Sequence, residues 1–80
     1  MTRVTVLYFA ALRDAAGTPM EVVETDAPDL GALYAQAQAR HQLPFPQRQL
    51  RLAVDDAFAR WEDPVREGSE VAFIPPVSGG

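Results

Sequence analysis

From Arg3 to Phe9, polar and apolar residues alternate: Val4, Val6 and Tyr8 fall on one side, and Arg3, Thr5, Leu7 and Phe9 on the other. A period of two marks a half-buried strand. The first set forms its core face, and the second ends in two apolar residues, so that side is not wholly solvated. Residues 10–16 read as a short helix closed by Gly17, a residue suited to the left-handed position after a helix end. Met20 to Thr25 is a second strand, with adjacent Val22 and Val23 leaving its inward side open. Asp29 then caps a longer helix in which Leu30, Leu33, Tyr34 and Ala37 recur at i, i+3, i+4 and i+7, the signal fading near Arg40-His41. Gly31 in its first turn costs about 1 kcal/mol against alanine if fully interior.

Leu43-Pro44-Phe45-Pro46 cannot continue that helix, because each proline disfavours helical geometry in the residue before it. Leu50 to Val54 reads as a third strand, Asp55-Asp56 as a turn, and Ala57 to Trp61 as a short fourth strand broken by Pro64. Arg66 to Ser69 turns the chain into a last strand, Glu70 to Ile74, with Val71 and Phe73 on one face and Glu70, Ala72 and Ile74 on the other. The order β-β-α-β-β-β, with one principal helix and about five strands, predicts an α+β domain of β-grasp (ubiquitin-like) type. The helix packs on one face of a mixed sheet. Residues 1–74 form this domain, and 75–80 form a flexible tail.

Eighty residues suffice for one modest core and leave little room for a deep pocket. Chemistry is therefore expected at a tail, an edge or an interface. The absence of cysteine excludes a disulfide framework, a thiolate metal site and a cysteine nucleophile. All seven basic residues are scattered arginines and the formal net charge is −4, which argues against nucleic-acid binding and for a basic protein partner. The alternation from Met1 to Tyr8 is no secretory h-region and no apolar run approaches a membrane span, so a cytoplasmic protein is expected.

The chemistry concentrates at Pro75-Pro76-Val77-Ser78-Gly79-Gly80. Two prolines favour an extended base, and two glycines leave a tip slim enough for a channel that admits no Cβ. Such an arm suits a terminal carboxylate that is activated inside another protein. With no cysteine, sulfur could be carried only as a terminal thiocarboxylate. Elsewhere the signals are bland. His41, the only histidine, has no evident metal partners and is expected in a loop or at the surface. Asp55-Asp56 suits a hairpin better than paired catalytic carboxylates, and Tyr34 and Trp61 suit packing. No Gly-rich phosphate loop is present, so any ATP is bound elsewhere.

The stretch Val6-Leu7-Tyr8-Phe9-Ala10-Ala11-Leu12-Arg13-Asp14, followed by Gly17, and the closing run from Gly68 to Gly80 resemble the small, sulfur-carrying subunit of molybdopterin synthase. Asp55 stands where that family commonly has asparagine, and Ser69 where it has aspartate. The resemblance implies a non-catalytic sulfur donor. An ATP-dependent enzyme adenylates Gly80, a sulfur donor system converts it to a thiocarboxylate, and the tail (Pro75, Pro76, Val77, Ser78, Gly79) threads into a large synthase subunit. There sulfur passes to cyclic pyranopterin monophosphate to build the molybdopterin dithiolene. It further implies a heterotetramer, no cofactor or metal on the isolated chain, and an interface at Phe9, Phe58 and Ile74, with Arg13 contacting the activating enzyme. A thiamine-thiazole-type sulfur carrier and a ubiquitin-like protein modifier are the competing readings.

Overall fold

A computed structural model describes residues 1–76 of the chain. The elements run β1 (Thr2–Tyr8), α1 (Ala11–Ala16), β2 (Met20–Thr25), α2 (Leu30–His41), a 3-10 turn (Gln47–Gln49), β3 (Arg51–Val54), β4 (Ala57–Phe58) and β5 (Glu70–Ile74). The five strands form one sheet in the order β2-β1-β5-β3-β4. β1 pairs with β2 antiparallel and with β5 parallel, and β3 is antiparallel to both β5 and β4. A hairpin, a crossing helix and a return through the sheet centre make this a β-grasp fold.

The register settles what the pattern of β2 left open. Val4 stands opposite Val23, while Leu7 stands opposite Met20 and Thr5 opposite Val22. Directly opposed residues share a face, so Val23 packs on the core and Met20 and Val22 face out. The core lies between the sheet and α2. Val4, Val6 and Tyr8 from β1 and Val71 and Phe73 from β5 meet Leu30, Leu33, Tyr34 and Ala37 from α2. Leu12 of α1 is fully buried in the same cluster, so this short helix plugs the core and does not roof the opposite face.

The Asp29 side chain caps α2 as expected, accepting the Ala32 N–H at 2.8 Å. Two further amides of the first turn, Leu30 and Gly31, donate to the carbonyls of Asp63 and Trp61 at 3.0 and 2.9 Å. This explains why β4 ends at Phe58 and not at Trp61. Asp63 accepts from the Arg60 N–H at 3.0 Å and donates its own N–H to the Arg60 carbonyl at 3.1 Å, closing a turn. The carbonyls of Trp61 and Asp63 are then committed to the helix. Trp61 lies stacked near Phe73, centroids 6.1 Å apart and planes at 15°, with Tyr34 at 5.8 Å. β3 begins at Arg51 and not Leu50, since the Leu50 N–H closes the 3-10 turn onto the Gln47 carbonyl.

Candidate functional site: an open sheet face at the root of the tail

Among the described residues, no helix covers the face of the sheet turned away from α2. β1 brings Leu7 and Phe9 to it, β5 brings Glu70, Ala72 and Ile74, β3 brings Ala53, and β4 brings Phe58. Together with Asp56 they line a shallow groove of about 260 Å³. Phe58 is 74% exposed and Phe9 45%. Large apolar side chains exposed together on one surface mark an interaction site more often than a stability device.

Local chemistry builds the groove's walls. The β3–β4 connection is a two-residue hairpin with Asp55 at φ 50° and Asp56 at φ 72°. Two consecutive positive φ values define a type I′ turn, which aspartate tolerates and which matches the twist of the strands. Asp55 then staples the hairpin to β5: its N–H donates to the Glu70 carbonyl, and its Oδ1 accepts the Glu70 N–H, both at 2.9 Å. These carboxylates therefore serve the turn and the groove rim. At the other wall, Ala10 follows Phe9 with φ 50° and ψ −122°, a conformation costly for any residue with a Cβ. This twist lets the chain leave β1 with Phe9 outward and return with Leu12 inward.

Three of the sequence-derived interface residues, Phe9, Phe58 and Ile74, thus line one groove, and Arg13 stands exposed on α1 outside its lining. Pro75 and Pro76 continue directly from the Ile74 end of the groove, while Val77, Ser78, Gly79 and Gly80 lie outside the described residues. Sequence reasoning missed Met20 and Val22, which are 51% and 59% exposed and carry the apolar surface out to the β2 edge. Only the cross-strand register could have revealed them. It also missed Arg51, whose guanidinium sits 5.8 Å from the Phe58 ring centroid.

His41 is neither in a loop nor free. It closes the last turn of α2, its Nε2 lies 2.8 Å from Glu21 Oε1, and its ring meets Tyr8 edge-on at 5.6 Å. Glu21 Oε1 also accepts from the Tyr8 hydroxyl at 2.5 Å and from Arg40 at 3.0 Å. Burial pushes the Glu21 carboxyl up, but the donated hydrogen bonds from Tyr8, His41 and Arg40 outweigh it and bring it down to about 2. Burial, followed by the Glu21 carboxylate, pushes the Tyr8 hydroxyl upward. This cluster ties β1, β2 and α2 together on the core side and does not reach the groove.

A β-grasp domain whose open face adjoins the root of a Pro-Pro-led tail has the form of a ubiquitin-like carrier. The comparisons narrow the class. The sequence profile of the ThiS family matches residues 6–80, and the chain belongs to that family. It is 38% identical to the molybdopterin synthase sulfur carrier subunit of Escherichia coli (strain K12), covering 94% of this chain and 96% of the relative. The protein of the same description in Mycobacterium tuberculosis is 40% identical, with full coverage of both chains. Among solved structures, a putative molybdopterin converting factor subunit 1 from Pyrococcus furiosus aligns with a TM-score of 0.81 at 24% identity, covering 96% of this chain and 100% of that one. A protein–protein complex of subunits 1 and 2 of the molybdopterin-converting factor from Helicobacter pylori 26695 contains a chain that aligns at 0.68 and 24% identity, over 99% and 100%.

Proposed function

We propose that this chain is a sulfur carrier of molybdenum cofactor biosynthesis, acting through the carboxylate of Gly80. The observation that carries the proposal is the end-to-end similarity to two sulfur carrier subunits of molybdopterin synthase. The open groove beside the tail root supports it. In the proposed cycle an activating enzyme binds ATP, and a Gly80 carboxylate oxygen attacks the α-phosphate, releasing pyrophosphate. Sulfur at the sulfide level attacks the resulting acyl adenylate, AMP leaves, and a thiocarboxylate remains. The loaded tail enters a large synthase subunit and passes sulfur to cyclic pyranopterin monophosphate. Catalytic side chains come from that subunit, so this chain is cosubstrate and subunit together.

The groove supplies docking. Its apolar floor takes up a complementary surface of the large subunit, and the tail follows from the Ile74 end. The related complex of subunits 1 and 2 supports such a partner, and a heterotetramer with one carrier at each end of a large-subunit dimer is the assembly proposed. No helix of the described residues is long and apolar enough to cross a membrane; the setting proposed for this cycle is cytoplasmic.

The test is reconstitution. The chain is incubated with its activating enzyme, ATP and a sulfide source, and intact mass should rise by the difference between sulfur and oxygen, but not when Gly80 is deleted. The loaded carrier, the cognate large subunit and cyclic pyranopterin monophosphate should then yield molybdopterin. A loaded carrier that supports thiazole synthesis and gives no molybdopterin would overturn the assignment.

A further inference from the structure

The groove is apolar along its floor and acidic at one end of its lining, and an arginine stands beside the other end. Arg51 lies directly across the β3–β5 ladder from Ile74, at the end from which the tail departs. Glu70 begins β5 four residues earlier, about 13 Å away along the strand, and Asp56 joins it on the lining. Among the described residues none of these three side chains has an ion-pair partner. Elsewhere on the same face, Arg3 and Glu24 neutralise each other at 3.8 Å. The Arg51 guanidinium carbon lies 5.8 Å from the Phe58 ring centroid, within the range in which the ring quadrupole attracts a cation.

We propose that this polarity orients the docked partner. Resting on the docking role proposed above, the cognate large subunit presents an apolar platform with a carboxylate facing Arg51 and a cation facing Asp56 and Glu70. The reasoning is one of desolvation. A surface that covers Phe58 and Ile74 also takes Arg51 out of water, and a charge buried without a partner is costly. A partner bearing an acid at that spot removes the penalty, and one bearing a base is repelled. Because the positive end coincides with the tail root, docking in the reverse orientation sets like charges against each other at both ends. The groove thereby selects the one orientation that aims the tail into the partner's active site.

The experiment measures the affinity of the full-length chain for the purified cognate large subunit at low and high ionic strength. Arg51→Glu should weaken binding about tenfold or more at low salt, and Arg51→Gln by a smaller factor. Arg51→Lys should recover part of the loss, keeping the charge but not the planar guanidinium. Wild-type affinity should fall as salt rises, and that dependence should shrink in Arg51→Glu. Thermal melts of each variant establish that the domain is folded. If Arg51→Glu binds within about twofold of wild type while Ile74→Asp binds poorly, the face docks and the charge-orientation proposal is wrong. If Ile74→Asp binds as tightly as wild type, the docking role itself fails.

Discussion

Replacing Glu21 by glutamine removes one charge from the junction of β1, β2 and α2 while keeping an acceptor for Tyr8. The carboxylate takes hydrogen bonds from Tyr8 and Arg40 and contacts His41 through the same oxygen. Its pKa falls from an ordinary 4.5 to about 2. At about 1.4 kcal/mol per pH unit, that difference sets a ceiling of about 3 kcal/mol on the stabilisation. The side chain keeps 24% of its surface in solvent, and screening there reduces the expected value to about 1–2 kcal/mol. The sign follows from proton linkage. Between pH 4.5 and about 2 the unfolded chain binds the proton that the folded chain refuses, so the stabilisation is complete above the upper value and is lost as pH falls through the lower one. Urea unfolding at pH 7 should therefore place Glu21→Gln about 1–2 kcal/mol below wild type, with Tm lower by about 4–8 °C per kcal/mol. The gap should close as pH approaches the folded pKa. A gap that stays constant with pH, or an NMR titration of Glu21 near its ordinary value, would refute the reasoning.

Ala10→Gly should raise stability by about 1 kcal/mol in urea unfolding, because strain of about 1–3 kcal/mol at φ 50°, ψ −122° is relieved against a smaller entropic loss; an unchanged or lower midpoint contradicts it. Trp61→Ala should cost about 2–3 kcal/mol, less than a fully buried aromatic, by emptying the space beside Phe73 and Tyr34. Hydrogen exchange of the Leu30 and Gly31 amides, which donate to the Asp63 and Trp61 carbonyls, should accelerate in the same variant. Phe58→Asp should leave the melting temperature within about 2 °C of wild type, since the side chain is 74% exposed, yet weaken binding to the large subunit by about tenfold or more; equal affinity would remove Phe58 from the interface.

Much of the fold was legible because two periodicities are clean. The alternation from Val4 to Tyr8 and from Glu70 to Ile74 assigned both central strands and both of their faces, and Asp29 with Leu30, Leu33, Tyr34 and Ala37 placed α2. What stayed hidden depends on partners distant in sequence. The inward side of β2 follows from its pairing with β1, not from its own Val22-Val23. The early end of β4 follows from Trp61 and Asp63 giving their carbonyls to a helix some thirty residues earlier. His41 looked isolated because Glu21 lies twenty residues away. The outer face was half legible: Phe9 and Ile74 fell on it by alternation, whereas Met20, Val22 and Arg51, which flank the groove, needed the register.

The position of β5 links the groove to the tail. β5 lies between β1 and β3 and is hydrogen-bonded to both. Tyr8, the residue before Phe9, stands opposite Phe73, the residue before Ile74, and Phe73 in turn stands opposite Leu52, next to Arg51. The root of the tail therefore cannot shift relative to Phe9, Phe58 or Arg51 without breaking ladder bonds on at least one side. A surface that docks on the groove fixes where Pro75 starts and in which direction it leaves. An edge strand ending in the same six residues would offer no such constraint, since it could fray or twist independently of the face. In the proposed docking, a chain that leaves from the sheet centre lets recognition of the face set the direction in which Pro75 departs.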